Sequence, residues 1–182
     1  MIQFPSRSGF LIILLVGMAG CGKQPIESAV ETNDRKAVAD AIKGGADVNE
    51  TVTGGDTPLM LAAKTGQSGS AQALIEGGAD VQVRDDAGNS VLHYAAQSGM
   101  TGICGLLIER GVAIDGKGAG GATPLQFAVL GAKQETAKYL VRRGASLELK
   151  NDAQKSALDL AIAGGDARFK NDLELAAKMR GN

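Results

Sequence analysis

The feature that most constrains this chain is a set of short motifs that recur along it in one constant 33-residue period. A threonine or serine followed two positions later by leucine recurs with that spacing, at Thr57, Ser90, Thr123 and Ser156. A motif like Gly-Ala-Asp-Val recurs in the same phase, with its glycine at Gly45, Gly78, Gly111 and Gly144. A third series consists of Gly55, Gly88 and Gly121. Several series in one phase predict an array of stacked units rather than a single thick core.

The array is expected to run from residue 24 to residue 182. Counting back one period from Thr57 reaches Gln24, where a degraded first copy begins. The five predicted units are residues 24–56, 57–89, 90–122, 123–155 and 156–182.

Each unit has the residues of a helix-turn-helix. In the second unit, Thr57 can cap a first helix and Pro58 suits its first position. Leu59 and the apolar residues after it share one helix face, and Gly66 can end the helix. A second helix follows until Gly78, a glycine that can take up the left-handed turn at its end. The next stretch, rich in Gly, Asp and Asn, is predicted to form a protruding turn.

These motifs resemble the ankyrin repeat, in which T-P-L-H opens a first helix and a second helix ends in G-A-D-V-N. Residues 57–59 and 45–49 match this pattern closely, and the resemblance covers residues 24–182. It implies an all-α ankyrin-repeat solenoid of about five helix-turn-helix units. Proline is missing at residues 90–91 and 156–157. In the last unit, residues 169–170 replace a small apolar pair, which suits a terminal cap whose outer face meets water.

Residues 1–20 are predicted to be an export signal. Arg7 precedes an apolar run at residues 10–16, and small residues stand just before Cys21. The run is about ten residues long, whereas a membrane-spanning helix needs about 20. Residues 18–21 resemble the bacterial lipobox, which implies cleavage before Cys21 and a lipid on its thiol. With Gly22 in place of aspartate, the resemblance favours the periplasmic face of a Gram-negative outer membrane. Simple cleavage, giving a soluble periplasmic protein, is the alternative.

Composition narrows the function classes. The chain is 44% hydrophobic but only 3% aromatic, which suits layers of small side chains and excludes a disordered chain. Its net charge is -1, and removing residues 1–20 takes away only Arg7, so that nucleic acid is not an expected partner. If Cys21 is lipidated, Cys104 is the one remaining thiol, and no internal disulfide is expected.

The chemical motifs all have structural explanations. Residues 111–121 resemble phosphate-binding glycine loops, but Gly111 and Gly121 already belong to the repeat, and no helix is expected before Thr123. The only histidine, His93, occupies the fourth motif position, where the family resemblance implies bonds to nearby backbone. Cys104 lies on an apolar stripe and is predicted to be buried and inert. We therefore expect no enzymatic activity, no cofactor and no metal.

What remains is a binding surface. In proteins that this chain resembles, partners bind the concave side made by the turn tips and the exposed ends of the first helices. Carried over position by position, the partner-binding residues are Thr53, Asp56, Lys64, Thr65, Asp86, Asn89, Gln97, Ser98, Ala122, Leu130 and Lys155. Leu130 is the expected apolar anchor, and the alternative is a solvated rim without a preferred residue.

These observations predict a monomeric, non-enzymatic module that binds an unidentified protein partner in the periplasm. Its contact with the membrane would be only through the lipid on Cys21. Three sharper hypotheses stay open. They are an immunity protein against a periplasmic toxin, a helper of an envelope or oxidative-stress enzyme, and a structural component bound to peptidoglycan.

Overall fold

A computed structural model describes residues 25–52 and 54–179 as an array of helix pairs. Over these residues it contains ten α-helices and no extended strand, which confirms the predicted all-α repeat fold. The first helices of the pairs are α1 (Pro25–Glu31), α3 (Pro58–Thr65), α5 (Val91–Ser98), α7 (Pro124–Leu130) and α9 (Ala157–Ala163). The second helices are α2 (Arg35–Lys43), α4 (Ser68–Glu76), α6 (Thr101–Glu109), α8 (Gln134–Arg142) and α10 (Ala167–Lys178).

The threonine or serine that opens a predicted unit caps the first helix in the second, fourth and fifth units. Thr57, Thr123 and Ser156 have extended backbones, and each side-chain oxygen accepts a hydrogen bond from the amide three residues on. The three donor–acceptor distances are 3.3, 3.4 and 3.2 Å. Such caps satisfy amides that a helix N-terminus leaves free. The helix starts therefore follow directly from the sequence motif.

A left-handed residue recurs at the junction of the two helices in every unit. It is Gly66 in the second unit, with φ 75°, and Gly99 in the third, with φ 81°. The equivalent positions of the other units hold Asn33, Ala132 and Gly165, all with positive φ. The sequence indicated a helix end at Gly66, and the structure shows that Ala132 adopts the same left-handed conformation without being glycine.

The core consists of thin layers between neighbouring units. Leu59, Leu92 and Leu125 are fully buried, and so are most of the small residues that follow them one turn later. Because the alanine side chain is small, adjacent first helices can approach each other closely. The buried residues form one continuous cluster along the array.

The last unit ends the array with charged residues. Lys170 and Glu174 form an ion pair at 2.6 Å, at positions where the preceding unit has the fully buried Ala137 and Val141. Charge thus replaces buried apolar residues at these positions of α10, as a terminal cap requires, while Leu175 on the same helix is exposed. Phe169, the other residue of the replaced pair, is only 4% exposed and packs in the core.

No helix in residues 25–52 and 54–179 combines the length and apolarity needed to cross a bilayer. The predicted export signal and Cys21 lie outside these residues.

Candidate protein-binding face

One side of the array is formed jointly by the first helices and the protruding turns. We call it the turn face. Its turns are residues 44–57, 77–90, 111–123 and 144–156. A groove between the first two turns is lined by Gly55 and Asp56 from one turn, Lys64 from α3, and Asp85 and Asp86 from the next turn. Helix and turn side chains thus face the same space.

A repeated backbone hydrogen bond holds these turns in shape. In each turn an amide donates to the carbonyl oxygen four residues later. The donor–acceptor pairs are Val52–Asp56 (2.8 Å), Asp85–Asn89 (3.0 Å), Gly118–Ala122 (2.9 Å) and Asn151–Lys155 (3.0 Å). Each pair lies one full period after the previous one, so the turns are presented at regular intervals.

His93 ties the third unit to the next turn, as the resemblance implied. The Ser90 amide donates to Nδ1 of His93 (3.1 Å), and Nε2 lies 3.2 Å from the Ala122 carbonyl oxygen. Since the carbonyl can only accept, Nε2 carries the proton and Nδ1 does not. The ring is fully buried, and burial lowers the pKa of His93. These contacts show a neutral, structural histidine.

Gln126 repeats this arrangement one unit later. Its Nε2 donates to the carbonyl oxygen of Lys155 (3.0 Å), which is the repeat equivalent of Ala122, and its Oε1 accepts from the Thr123 amide (3.2 Å). Our sequence reasoning considered only the histidine. The equivalence was readable from the repeat spacing, because a glutamine amide offers the same donor and acceptor as a neutral imidazole.

Two of the predicted partner-binding residues form an ion pair on the turn face. Lys64 Nζ lies 2.7 Å from Asp56 Oδ1 and 5.0 Å from the centre of the Tyr94 ring. Partial burial disfavours the charge on Lys64. The hydrogen bond to Asp56 and its negative charge outweigh this effect, and the pKa of Lys64 lies above its ordinary value. Lys64 is therefore held in place over the aromatic ring.

Five further predicted residues lie on the same side, and they differ in whether their side chains are already hydrogen-bonded. The hydroxyls of Thr65 and Ser98 donate to helix carbonyls, those of Leu61 (2.8 Å) and Ala63 (2.9 Å). Asp86, Gln97 and Lys155 are exposed.

Two predicted residues do not lie on the surface. Asn89 is 4% exposed, and its side chain bonds to Asp85, to Tyr94 and to the Ala119 amide. Ala122 is 6% exposed beneath its turn, and its carbonyl is the partner of His93. Both stabilise the turns and cannot offer a side chain to a partner. Thr53 lies outside the described residues.

A row of half-buried apolar side chains runs along the turn face and was missed by our sequence reasoning. It consists of Leu61, Tyr94, Phe127 and Leu160, one from the same repeat position in each of four first helices. Tyr94 and Phe127 meet edge to face, with ring centres 6.3 Å apart. The signal was present in the sequence as the residue after the fourth motif position.

Tyr94 is fixed by polar contacts as well as by packing. Its hydroxyl donates to Asp85 Oδ2 (2.5 Å), and Asn89 Nδ2 donates to the hydroxyl oxygen (3.1 Å). Burial raises the pKa of Tyr94, and the hydrogen bond to Asp85 raises it further. The phenol therefore stays protonated and presents a rigid, amphipathic surface.

Leu130 lies at the apolar end of this face. Its side chain is 62% exposed at the end of α7. Beside it, a groove of about 540 Å³ runs between α7 and α9 and is lined by Leu130, Leu160, Ala163 and Phe169, among others. Leu130 and this groove together expose apolar surface on the turn face, which makes them a candidate contact site for a partner.

Comparison with known families agrees with this geometry. A model of three ankyrin repeats matches residues 26–118, and a single ankyrin-repeat model matches residues 120–152. The chain belongs to the ankyrin-repeat family. Ankyrin repeats generally mediate protein–protein interaction and are typically not enzymatic. No significant match is found among curated proteins.

Cys104 takes no part in the turn face of this ankyrin array. It is fully buried in α6, and burial raises the pKa of its thiol to about 12. A thiol with that pKa is protonated at neutral pH and is a poor nucleophile. In residues 25–52 and 54–179, no group of three His, Cys, Asp or Glu side chains is arranged to hold a metal ion.

Proposed function

We propose that this ankyrin-repeat protein binds a protein partner in the periplasm through its turn face, without catalysing a reaction. The observation that carries the proposal is the joint placement of the Leu61–Leu160 apolar row, the Lys64–Tyr94 contact and the exposed Leu130 on one side. Interfaces draw most of their binding energy from a few anchors of this kind, chiefly aromatic and large side chains.

A capture experiment tests the face. The protein is used as bait on envelope extracts, and captured proteins are identified by mass spectrometry. Leu130→Arg should abolish or strongly reduce capture, because a partner would have to bury an unpaired charge. Leu175→Arg is the matched control, because Leu175 is similarly exposed (57%) on α10, away from the turn face.

Normal capture by Leu130→Arg together with loss in Leu175→Arg would move the binding surface to the second helices. Thermal unfolding of both variants should match the wild type, since substitutions at exposed sites usually change stability by about 0.5 kcal/mol or less.

The lipid anchor is a second part of the proposal, motivated by the small residues before Cys21. Wild-type protein should take up a labelled fatty acid in cells and fractionate with the outer membrane, whereas Cys21→Ala should not. Label retained by Cys21→Ala would exclude the anchor at this residue. Unlabelled wild-type protein in the soluble periplasmic fraction would instead support simple cleavage.

The three sharper hypotheses predict different captured partners. An immunity protein would capture a toxin, a helper would capture an envelope or oxidative-stress enzyme, and a structural component would sediment with purified sacculi.

A further inference from the structure

The four protruding turns differ in charge along the array. The first two turns, residues 44–57 and 77–90, contain one basic residue, Arg84, and six acidic ones. The acidic residues are Asp47, Glu50, Asp56, Asp80, Asp85 and Asp86. The last two turns hold three acidic and three basic residues, namely Asp115, Glu148, Asp152, Lys117, Lys150 and Lys155. A chain of net charge -1 thus has one strongly acidic end on its turn face.

On the turn face itself, the basic side chains Lys64 and Arg84 leave most of this charge in place. Lys64 is engaged by Asp56. The guanidinium of Arg84 donates to two carbonyl oxygens, those of Gly88 and Lys117. Glu50 and Asp86 are exposed at the tips of their turns. The field at this end is therefore negative and accessible to a partner.

The other end of the same face is apolar. The first helices α5 and α7 carry no Asp, Glu, Lys or Arg. Beyond them lies the groove beside Leu130, and Ile162 on α9 is 53% exposed. Going from the second turn to this groove, the surface changes from acidic to mostly apolar, with Asp166 as the one charged residue of the groove lining.

We propose, on the basis of the protein-binding function above, that the partner presents a linear segment with two distinct ends. Lysine or arginine residues at one end lie against the first two turns, and a large apolar side chain at the other end enters the groove between α7 and α9. Charge complementarity supports this occupant, because the acidic end would repel nucleic acid and anionic lipid headgroups.

The geometry sets the spacing within that segment. Packed helices lie about 8–10 Å apart, and about two and a half such spacings separate α3, which lies beside the first two turns, from the middle of the α7–α9 groove. The two ends of the segment are therefore roughly 20–25 Å apart. An extended chain covers about 3.3 Å per residue, so roughly six to eight residues should separate the basic end from the apolar side chain.

A displayed library of random linear peptides provides the probe. Selection on the purified protein should enrich peptides with Lys or Arg at one end and Leu, Phe or Trp about six to eight residues away. One enriched peptide is then synthesised, and its affinity and association rate are measured at low and high salt against matched variants.

Two variants and one control separate the ends of the face. Leu130→Arg should weaken binding of the peptide by about 30-fold or more, mostly through faster dissociation. Glu50→Gln combined with Asp86→Asn should weaken it roughly 3- to 10-fold at low salt, mostly through slower association, and should flatten its salt dependence. Glu148→Gln combined with Asp152→Asn removes the same charge from the fourth turn, where Asp152 is the repeat equivalent of Asp86. It should change the affinity by no more than about twofold.

Other outcomes overturn the inference in distinguishable ways. Peptides that need Leu130 but lack a basic end would refute the charge polarity while leaving the binding face intact. Peptides that are insensitive to all of these variants would refute the face itself. Failure to enrich any basic–apolar peptide would also refute the proposed segment. Concentration-dependent self-association that Leu130→Arg abolishes would assign the face to a second copy of the chain.

Discussion

The two sides of the first helices differ in how much their residues vary from one unit to the next. On the side that faces neighbouring units, Leu59, Leu92 and Leu125 recur unchanged and are fully buried. Near the end of each first helix, a small buried residue also recurs, namely Ala63, Ala96 or Val129. The residue that follows it is exposed on the turn face and changes from Lys64 to Gln97 to Leu130. At a position packed between two units only a few side chains fit, whereas a position exposed to solvent accepts many different side chains. The variable side is where recognition can differ between ankyrin proteins without loss of the fold.

The largest expected effect comes from breaking the repeat on the packed side. Deleting residues 123–155 removes one whole unit and keeps the phase, so His93 retains the carbonyl of Ala122. The shortened protein should fold with a lower Tm, because one unit and one interface are lost. Deleting residues 134–144 removes α8 alone and should abolish cooperative unfolding. Equal Tm values for the two deletions, measured by circular dichroism, would contradict the unit assignment.

The next effect tests the hydrogen bonds by which His93 joins α5 to the following turn. His93→Ala leaves the buried Ser90 amide without its acceptor, removes one of the two hydrogen bonds to the Ala122 carbonyl and opens a cavity. It should cost roughly 2–5 kcal/mol of unfolding free energy. His93→Gln should cost under about 1.5 kcal/mol, because Gln126 makes the same two bonds in the next unit. Denaturant unfolding measures both, and equal losses would refute the equivalence.

The same pair of proteins carries a pH prediction. Because the pKa of His93 in the folded protein lies below its ordinary value of 6.5, the unfolded chain takes up the proton more readily. The stability that the folded protein gains from keeping His93 neutral is complete above pH 6.5. It is lost as the pH falls from 6.5 towards the pKa of His93 in the folded protein. The wild type should lose stability over that range relative to His93→Gln. A constant difference between the two at all pH values would show that His93 does not titrate on unfolding.

Cys104 offers a smaller change on the packed side. Cys104→Ser places a hydroxyl in an apolar layer and should cost roughly 1–3 kcal/mol. Cys104→Ala should cost less, since Ala71 and Ala137 are fully buried at the equivalent positions. Both variants should capture the partner normally. Loss of capture by a folded Cys104→Ala protein, checked by its Tm, would indicate a functional thiol.

The smallest expected effect concerns the helix junction that borders both sides. Ala132 has φ 54°, where Gly66 and Gly99 stand in the earlier units. Ala132→Gly should therefore raise the unfolding free energy by about 0.5–1 kcal/mol. Gly66→Ala is the reciprocal control and should lower the unfolding free energy. The cause would be the left-handed backbone, because the added Cβ would meet only Ser98 Cβ, at an ordinary contact distance of 3.7 Å. A destabilised Ala132→Gly protein would mean that the unfolded chain's added freedom outweighs the relieved strain.

Most of the fold could be predicted from the sequence. The regular spacing of Thr57 and its equivalents specified where first helices begin, because capping is a local interaction between residues three apart. The candidate face was less predictable. Leu130 and Lys64 were placed on it by repeat position, but Asn89 and Ala122 carried the same expectation and are buried.

The sequence by itself determined the period, the helix caps, the glycine turns and the acidic character of the first two turns, since these depend on residues close together in the chain. The repeat spacing already aligned Gln126 with His93 and gave the apolar row one common position. Only the tertiary structure decided which repeat positions remain exposed, that Gln126 bonds to the Lys155 carbonyl, and that the side chains of the row are half-buried. Those outcomes depend on contacts between residues about one unit apart. Whether a side chain is buried depends on the residue that packs against it from the next unit, and a short motif within one unit contains no information about that residue.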